Sequence, residues 1–433
     1  LLDALARARQ RNLLCIITRL HDHVQQYVSS WTGFNIQNRD QVTVSADVVG
    51  YLPTINAPAT ALSTVQEILR KSEAVRQSLQ LVKIAVVMDQ ALYAKATEVA
   101  WKHKLEFENI VLMMGNFHII CNLLSIIGKM FRDAGLRDLA VESGVIAEGS
   151  IDKVLDGKQY NRGVRLHKLT YEALMRLAWA SFTEWLDTNH EGDLHHLDEV
   201  IRLVTDLQDD TCGATFESTL NNESCQRILD LFAVFLDGLR HENGQLAAYW
   251  LLYIDLVEIL LGLIRADRTG DWHLHLSSIR NLIPWCFAMD KTNYARYLPV
   301  YYAQMRELGR TCPDLQQHFL DGGFSVQLRQ SNPFGRIAID QTLEETVNKD
   351  TQTPGGTKGF SLNQGALSRY YLTAEHRANA LRQLRDLISL QSPGLGHADL
   401  QSSRITRDEA DVESIVELLE SSWINPLEMS PLI

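Results

Sequence analysis

With 433 residues, 45% hydrophobic and 22% charged, the chain can bury a large core and is expected to form two or three domains rather than a disordered coil. Its formal net charge of -12 excludes an overall basic surface, so phosphate contacts must come from a local patch or from a segment outside this chain. Six scattered cysteines (Cys15, Cys121, Cys212, Cys225, Cys286, Cys312) without a C-x-x-C argue against a zinc ribbon; Cys15, Cys121 and Cys286, in apolar stretches, read as buried thiols in a reducing compartment.

In chain order, 1–30 carries helical apolar spacing, with Leu5, Leu13, Ile16, Ile17, Leu20 and Val24 on one face. The texture changes over 31–60, where Gly33, Gly50, Pro53, Pro58 and four valines suggest short strands and turns. Helix returns over 62–81. Ile84 to Met88 is then an unbroken apolar run ended by Asp89, followed by a helical pattern through Ala91, Leu92, Ala94 and Val99. A second run, Ile110 to Met114, leads through Gly115-Asn116-Phe117 to His118 and another helix, 119–130. This is a βαβα unit with parallel strands, and polar groups just past the carboxyl ends of such strands are favoured places for chemistry.

Beyond Ala134 six amphipathic helices are expected, 170–186, 194–207, 223–239, 246–264, 274–289 and 293–308, with a break or kink at Pro284. They should form one packed block in which Trp179, Trp185, Trp250, Trp272 and Trp285 are mostly buried. The apolar run 249–264 contains Asp255 and Glu258 and reads as too short for a membrane span. With no signal peptide, an intracellular protein without membrane contact is expected. The segment 324–339 is mixed and can supply a strand, 342–348 reads as a helical turn or two, 353–356 as a loop, 374–390 as a helix and 391–408 as a flexible polar stretch. The domain plan is an N-terminal helical segment (1–30), an α/β core (31–135), an all-α insertion (136–320), a return to the core with an acidic helix (321–390), and a linker with a C-terminal helix (391–433).

Several residues could carry chemistry, each with a plainer alternative. Asp89 is a metal ligand or the cap of the helix it precedes. Asp340, Glu344 and Asn348 fall on one helical face, either completing a hard-cation site or forming a solvated surface with Asp340 as cap. His118, between Phe117 and Ile119, is a base, a ligand or a packed core histidine. His273 and His275 have H-x-H spacing without a third ligand, and His190, His195 and His196 lie in a polar turn. Arg162, Arg165, His167 and Lys168, flanked by Tyr160 and Tyr171, form the best basic cluster, suited to phosphates or simply to a solvated helix start. The glycine-rich 353–360 lacks the spacing of a phosphate loop, and no G-x-S-x-G, kinase set or H-E-x-x-H occurs.

Strings along nearly the whole chain carry a resemblance. They include Trp31-Thr32-Gly33-Phe34, Gly50-Tyr51-Leu52-Pro53, Asp89-Gln90-Ala91-Leu92-Tyr93-Ala94-Lys95-Ala96 and Met114-Gly115-Asn116-Phe117-His118. Val141-Glu142-Ser143-Gly144-Val145, Tyr160-Asn161-Arg162-Gly163, His167-Lys168-Leu169-Thr170, Asn293-Tyr294-Ala295-Arg296-Tyr297 and Asp340-Gln341 with Glu344 and Asn348 continue it, and Gly355-Gly356 and Gly359-Phe360 close it. On these the chain resembles a large, multi-copy family of uncharacterised animal proteins of transposon-derived appearance, with fungal relatives carrying a domain of unknown function. The resemblance, joined to the order of the acids, implies a ribonuclease H-like α/β core interrupted by a large all-α insertion, predominantly helical overall.

Transposases of that class use three acids around two divalent metals, Mg2+ or Mn2+. Asp89 matches the second acid, after a central strand, and Glu344 the third, on a helix; Glu345 is the poorer candidate. Asp47 is the only acid in a plausible earlier strand, so the first acid is expected upstream of Leu1, with both ends of the chain cut. The expected function is metal-dependent cleavage or strand transfer on DNA by a nuclear, transposase-like protein, degenerate or truncated, with His118 in the catalytic set, Arg162, Arg165 and Lys168 on the phosphates, and homo-oligomers in view. The alternative is a non-enzymatic, transposon-derived protein whose helical block binds protein partners. Feeble DNA binding by this chain alone is expected.

Overall fold

The computed structural model describes residues 2–21, 29–38, 45–50, 52–53, 55–207, 215–242, 244–328, 334–344, 363–373, 376–377, 380, 383–384, 387, 398–422 and 425–428. The elements run α1 (Leu2–His21), α2 (Trp31–Gln37), α3 (Leu62–Ser78), β1 (Ile84–Met88), α4 (Gln90–Lys102), β2 (Ile110–Met114), α5 (Asn116–Phe131), α6 (Leu136–Glu142), α7 (Glu148–Leu155) and α8 (Tyr160–Asn189). They continue α9 (Leu194–Asp206), α10 (Phe216–Leu220), α11 (Glu223–Glu242), α12 (Gln245–Thr269), α13 (Trp272–Ala288), α14 (Thr292–Arg306), α15 (Leu308–Thr311) and α16 (Pro313–Leu320). Last come β3 (Ser325–Gln327), β4 (Arg336–Ala338), α17 (Ile339–Thr342), α18 (Gln364–Leu372) and α19 (Ser402–Glu417).

The described residues are predominantly helical, 76% helix against 4% strand, with a small sheet. β1 and β2 pair in parallel from Ile84↔Ile110 to Met88↔Met114. Parallel neighbours need a crossover, and α4 supplies it. α4 starts where it does because the Asp89 carboxylate accepts the Leu92 backbone N–H at 2.8 Å. β3 and β4 form a separate antiparallel pair. That hairpin is the strand material expected in 324–339.

Two compact units emerge, and they do not follow the expected domain plan. One holds residues 1–42, 121–262 and 396–433; the other holds 43–120 and 263–395. The helical block is therefore not one unit: the division falls inside α12. That helix runs 25 residues, longer than the expected 246–264, and by length and composition it could cross a bilayer; 78% of its apolar window is buried within the protein.

In the first unit α8 supplies Leu166, Leu169, Leu174, Trp179, Phe182 and Leu186 to the core. Phe182 meets Phe232 edge-on at 5.2 Å and Trp179 at 5.2 Å. In the second, Trp272 stacks on His275 at 5.1 Å and also meets Phe319 and Phe324. Of the five tryptophans, Trp179, Trp250 and Trp272 are buried, and Trp185 and Trp285 are half-buried.

Other expectations need correction. Residues 31–37 are helix, and no strand occurs among the described residues of 45–60. Pro284 does not break α13; it lies on the exposed side, where water can replace the lost hydrogen bond. The stretch expected to be flexible up to Asp408 contains the start of α19, whose Ile405, Val412 and Ile415 are buried. Cys15 and Cys286 are buried as expected and Cys121 half-buried. Cys212, Glu345, Asn348, the loop 353–360 and most of the expected helix 374–390 lie outside the described residues.

Candidate functional site

The candidate site lies in the second unit, at the carboxyl ends of β1 and β2. β2 ends at Met114, the chain turns at Gly115-Asn116, and α5 starts, so its first backbone N–H groups have no partner within the helix. Asp340 on α17 fills that gap. Its carboxylate accepts the Phe117 N–H at 3.2 Å and the His118 N–H at 3.1 Å, and Oδ2 lies 2.9 Å from His118 Nδ1. The positive end of α5 favours a carboxylate there. Gly115 makes the approach possible: a Cβ on it would lie 2.2 Å from Asp340 Oδ2. Asp340 is thus a cap, as one reading of the sequence held, but it caps α5 rather than its own helix.

His118 collects the acids. With Nδ1 on Asp340, its Nε2 faces Glu344, whose Oε1 is 3.9 Å away. The Asp340 hydrogen bond raises the imidazole pKa above the usual histidine value; burial opposes this, and the charges of Asp340, Asp89 and Glu344 add to it. The Tyr294 hydroxyl donates to the His118 carbonyl at 3.2 Å. His118 is therefore neither an isolated surface group nor a packed core histidine: 32% of its side chain stays exposed.

The sign of its contribution to stability follows. The folded pKa is raised, so the stabilisation is complete below the unfolded value of about 6.5 and is lost as pH rises through the higher folded value. His118 is expected to titrate above a free imidazole in NMR, and Asp340→Asn to lower that titration, because the largest raising contribution is removed while burial still opposes the charge. An unchanged titration in Asp340→Asn would show that the pair does not control the imidazole.

Asp89 has one established role, the α4 cap, and contributes a second, as one of the charges acting on His118. Behind the site, Asn116 Nδ2 donates to Asp267 Oδ2 at 2.6 Å, and burial pushes the Asp267 pKa up to about 8.

Other candidates lead elsewhere. Asp47 exchanges two bonds with Gln327 of β3, its N–H to the carbonyl at 2.8 Å and its Oδ2 from the N–H at 2.7 Å, outside any strand of its own. The basic cluster does not form a phosphate track among the described residues. Arg165 is neutralised by Asp408 at 2.7 Å and by Asp411. Lys168 donates to Thr32 at 2.7 Å and lies over the Trp31 ring. His167 is buried against the Tyr253 hydroxyl, and burial pushes its pKa down to about 3. Only Arg162 is exposed, bonded to Ser150 and Gln159. His273 and His275 diverge: the first is exposed, the second buried on the Tyr301 hydroxyl at 3.0 Å. His195 is exposed, and His190 and His196 are half-buried.

Sequence reasoning missed Gly115, Asn116 and Asp267. The Gly-Asn pair between a strand and a helix was a signal for a close approach at that turn.

The chain matches, over residues 30–433, the family model described as "Domain of unknown function (DUF8702)". It belongs to that family. The match to the DUF8702 family covers every residue of the candidate site, from Asp89 to Glu344. No curated protein and no solved structure matches the chain.

Proposed function

We propose that the carboxyl edge of β1 and β2 is a transposase-like site for metal-dependent cleavage or strand transfer at DNA phosphodiesters, on a ribonuclease H-like core interrupted by helices. The observation that carries the reading is that Asp340 and Glu344, from the far end of the chain, both meet the His118 imidazole, Asp340 from 222 positions away, while the charge of Asp89 at the strand end also acts on it. Strand, acid, crossover helix, parallel strand, helical block and acidic helix is the order expected for the second and third acids of such a site.

The donor chemistry suits a hard cation. Asp89 and Glu344 present carboxylate oxygens, and Mg2+ is commonly held by one or two carboxylates together with water and substrate phosphates. Among the described residues no group of three or more His, Cys, Asp or Glu stands ready to enclose a metal, so the protein would supply two carboxylates and the substrate the rest. When bound, Mg2+ or Mn2+ supplies Lewis-acid stabilisation of the phosphoryl oxygens. Asp89 and Glu344 would hold it. His118, oriented by Asp340 through Nδ1, offers Nε2 for a proton at the attacking or leaving oxygen. Asp340 holds His118 in place by capping α5.

A second reading keeps one observation in its favour. Arg165 and Lys168 are engaged by protein groups, as an interaction protein without a DNA track would have them.

The test compares wild type with Asp89→Asn and Glu344→Gln for Mg2+- or Mn2+-dependent nicking of DNA and for a metal-induced rise in Tm. Both variants should lose on the order of 10²–10³-fold in nicking, and Glu344→Gln should lose the metal-induced rise while folding normally. No nicking and no metal response in the wild type would favour the interaction protein instead.

A further inference from the structure

Beneath the site lies a buried polar pair whose hydrogen bonds do not balance while both members keep their usual protonation. Asn116, the first residue of α5, is 6% exposed, and Asp267, near the end of α12, is 4% exposed. One bond joins them, from Asn116 Nδ2 to Asp267 Oδ2 at 2.6 Å. The two remaining oxygens, Asn116 Oδ1 and Asp267 Oδ1, are both buried without a hydrogen-bond partner. An ionised carboxylate offers only acceptors, so it leaves the amide oxygen unsatisfied and keeps a charge out of water; each is costly. A single proton removes both defects. Placed on Asp267 Oδ1, it gives a donor for Asn116 Oδ1 and closes the two-bond ring that a carboxylic acid forms with a primary amide.

We infer that Asp267 is held as a neutral carboxylic acid doubly hydrogen-bonded to the Asn116 side chain, and that it acts as a positioning residue for the start of α5. Asn116 immediately precedes Phe117 and His118, whose N–H groups hold Asp340, so the pair anchors the turn that carries both. The surrounding groups agree. Burial raises the Asp267 pKa to about 8; the Asn116 bond lowers it, the Asp340 charge on α17 raises it, and Arg268 on its own helix lowers it. The Tyr301 hydroxyl on α14 is sensitive to the Asp267 charge and is itself held neutral by burial. An ionised Asp267 would add a second buried negative charge near Asp340; a neutral one leaves Asp340 free to serve the α5 N-terminus and His118. This pairing stands whether or not the strand edge cleaves DNA.

The folded pKa lies above the unfolded carboxylate value of about 3.9, so the pair's contribution to stability is complete below that value and is lost as pH rises through about 8. The test uses the full chain with Asp267→Asn and Asp267→Leu. Asp267→Asn keeps two hydrogen bonds, as an amide–amide pair; Asp267→Leu keeps none. Infrared difference spectra should show a protonated carboxylic acid band in the wild type that fades through about pH 8 and is absent from Asp267→Asn. Asp267→Asn should melt near the wild type only in acid, below about pH 4, and above it at neutral and alkaline pH, where the wild type loses the stability of the neutral acid, and it should preserve the raised His118 titration. Asp267→Leu should melt lower throughout and disturb that titration. A wild type without the band, a band untouched by Asp267→Asn, or an Asp267→Asn protein as damaged as Asp267→Leu would each overturn the assignment.

Discussion

Gly115→Ala is expected to dismantle the site from one methyl group. The added Cβ would lie 2.2 Å from Asp340 Oδ2, 2.5 Å from Cγ and 2.9 Å from Cβ, so it collides with the whole carboxylate arm. Asp340 cannot swing into water without losing its place, because it is buried and bonded to two N–H groups and an imidazole. Giving up those bonds at a helix N-terminus, together with the overpacking, should cost about 2–4 kcal/mol in denaturant unfolding. The same change should lower the His118 titration as Asp340→Asn does. A double-mutant cycle makes the prediction specific: in an Asp340→Ala background there is no carboxylate to strike, so Gly115→Ala should cost far less. Equal costs in both backgrounds would place the damage elsewhere.

Arg19→Met is expected to be the most destabilising single change in the first unit. The Arg19 side chain is 1% exposed; its Nε lies 2.5 Å from Glu172 Oε1, and its Nη2 reaches Glu409. Arg176 holds the same two carboxylates from four residues along α8. The network ties α1, α8 and α19 through alternating charges that are largely out of water. Removing Arg19 leaves one guanidinium for two acids, and breaking a buried pair from one side costs about 3–5 kcal/mol. An exposed control, Arg310→Ala, breaks the Glu307 pair at the surface and should change stability by about 0–1 kcal/mol. Removing both members, as Arg19→Met with Glu172→Leu, should recover part of the loss, since no charge is then stranded there. Urea titrations of the four proteins decide it; a loss for Arg19→Met no larger than for Arg310→Ala would mean that the network adds no stability.

What the sequence determined by itself is what acts over a few residues. The apolar runs 84–88 and 110–114 became parallel strands, and the long periodic stretches became helices, because apolar spacing is a local property of the chain. The Asp89 cap was equally legible, since its bond reaches only three residues ahead, to Leu92. Tertiary structure decided the rest, through contacts that no period encodes. Asp340 caps a helix 222 positions earlier and orients its histidine. Arg165, which read as a phosphate contact, meets Asp408 across 243 positions and is neutralised. α12 looked like part of one helical block, but its apolar residues serve two cores. Gly115 had to be glycine because a carboxylate from the far end of the chain lies where its side chain would be. A charge or a small residue has no fixed meaning in sequence; its partner supplies it, and the partner is brought there by the burial of apolar surface elsewhere in the fold.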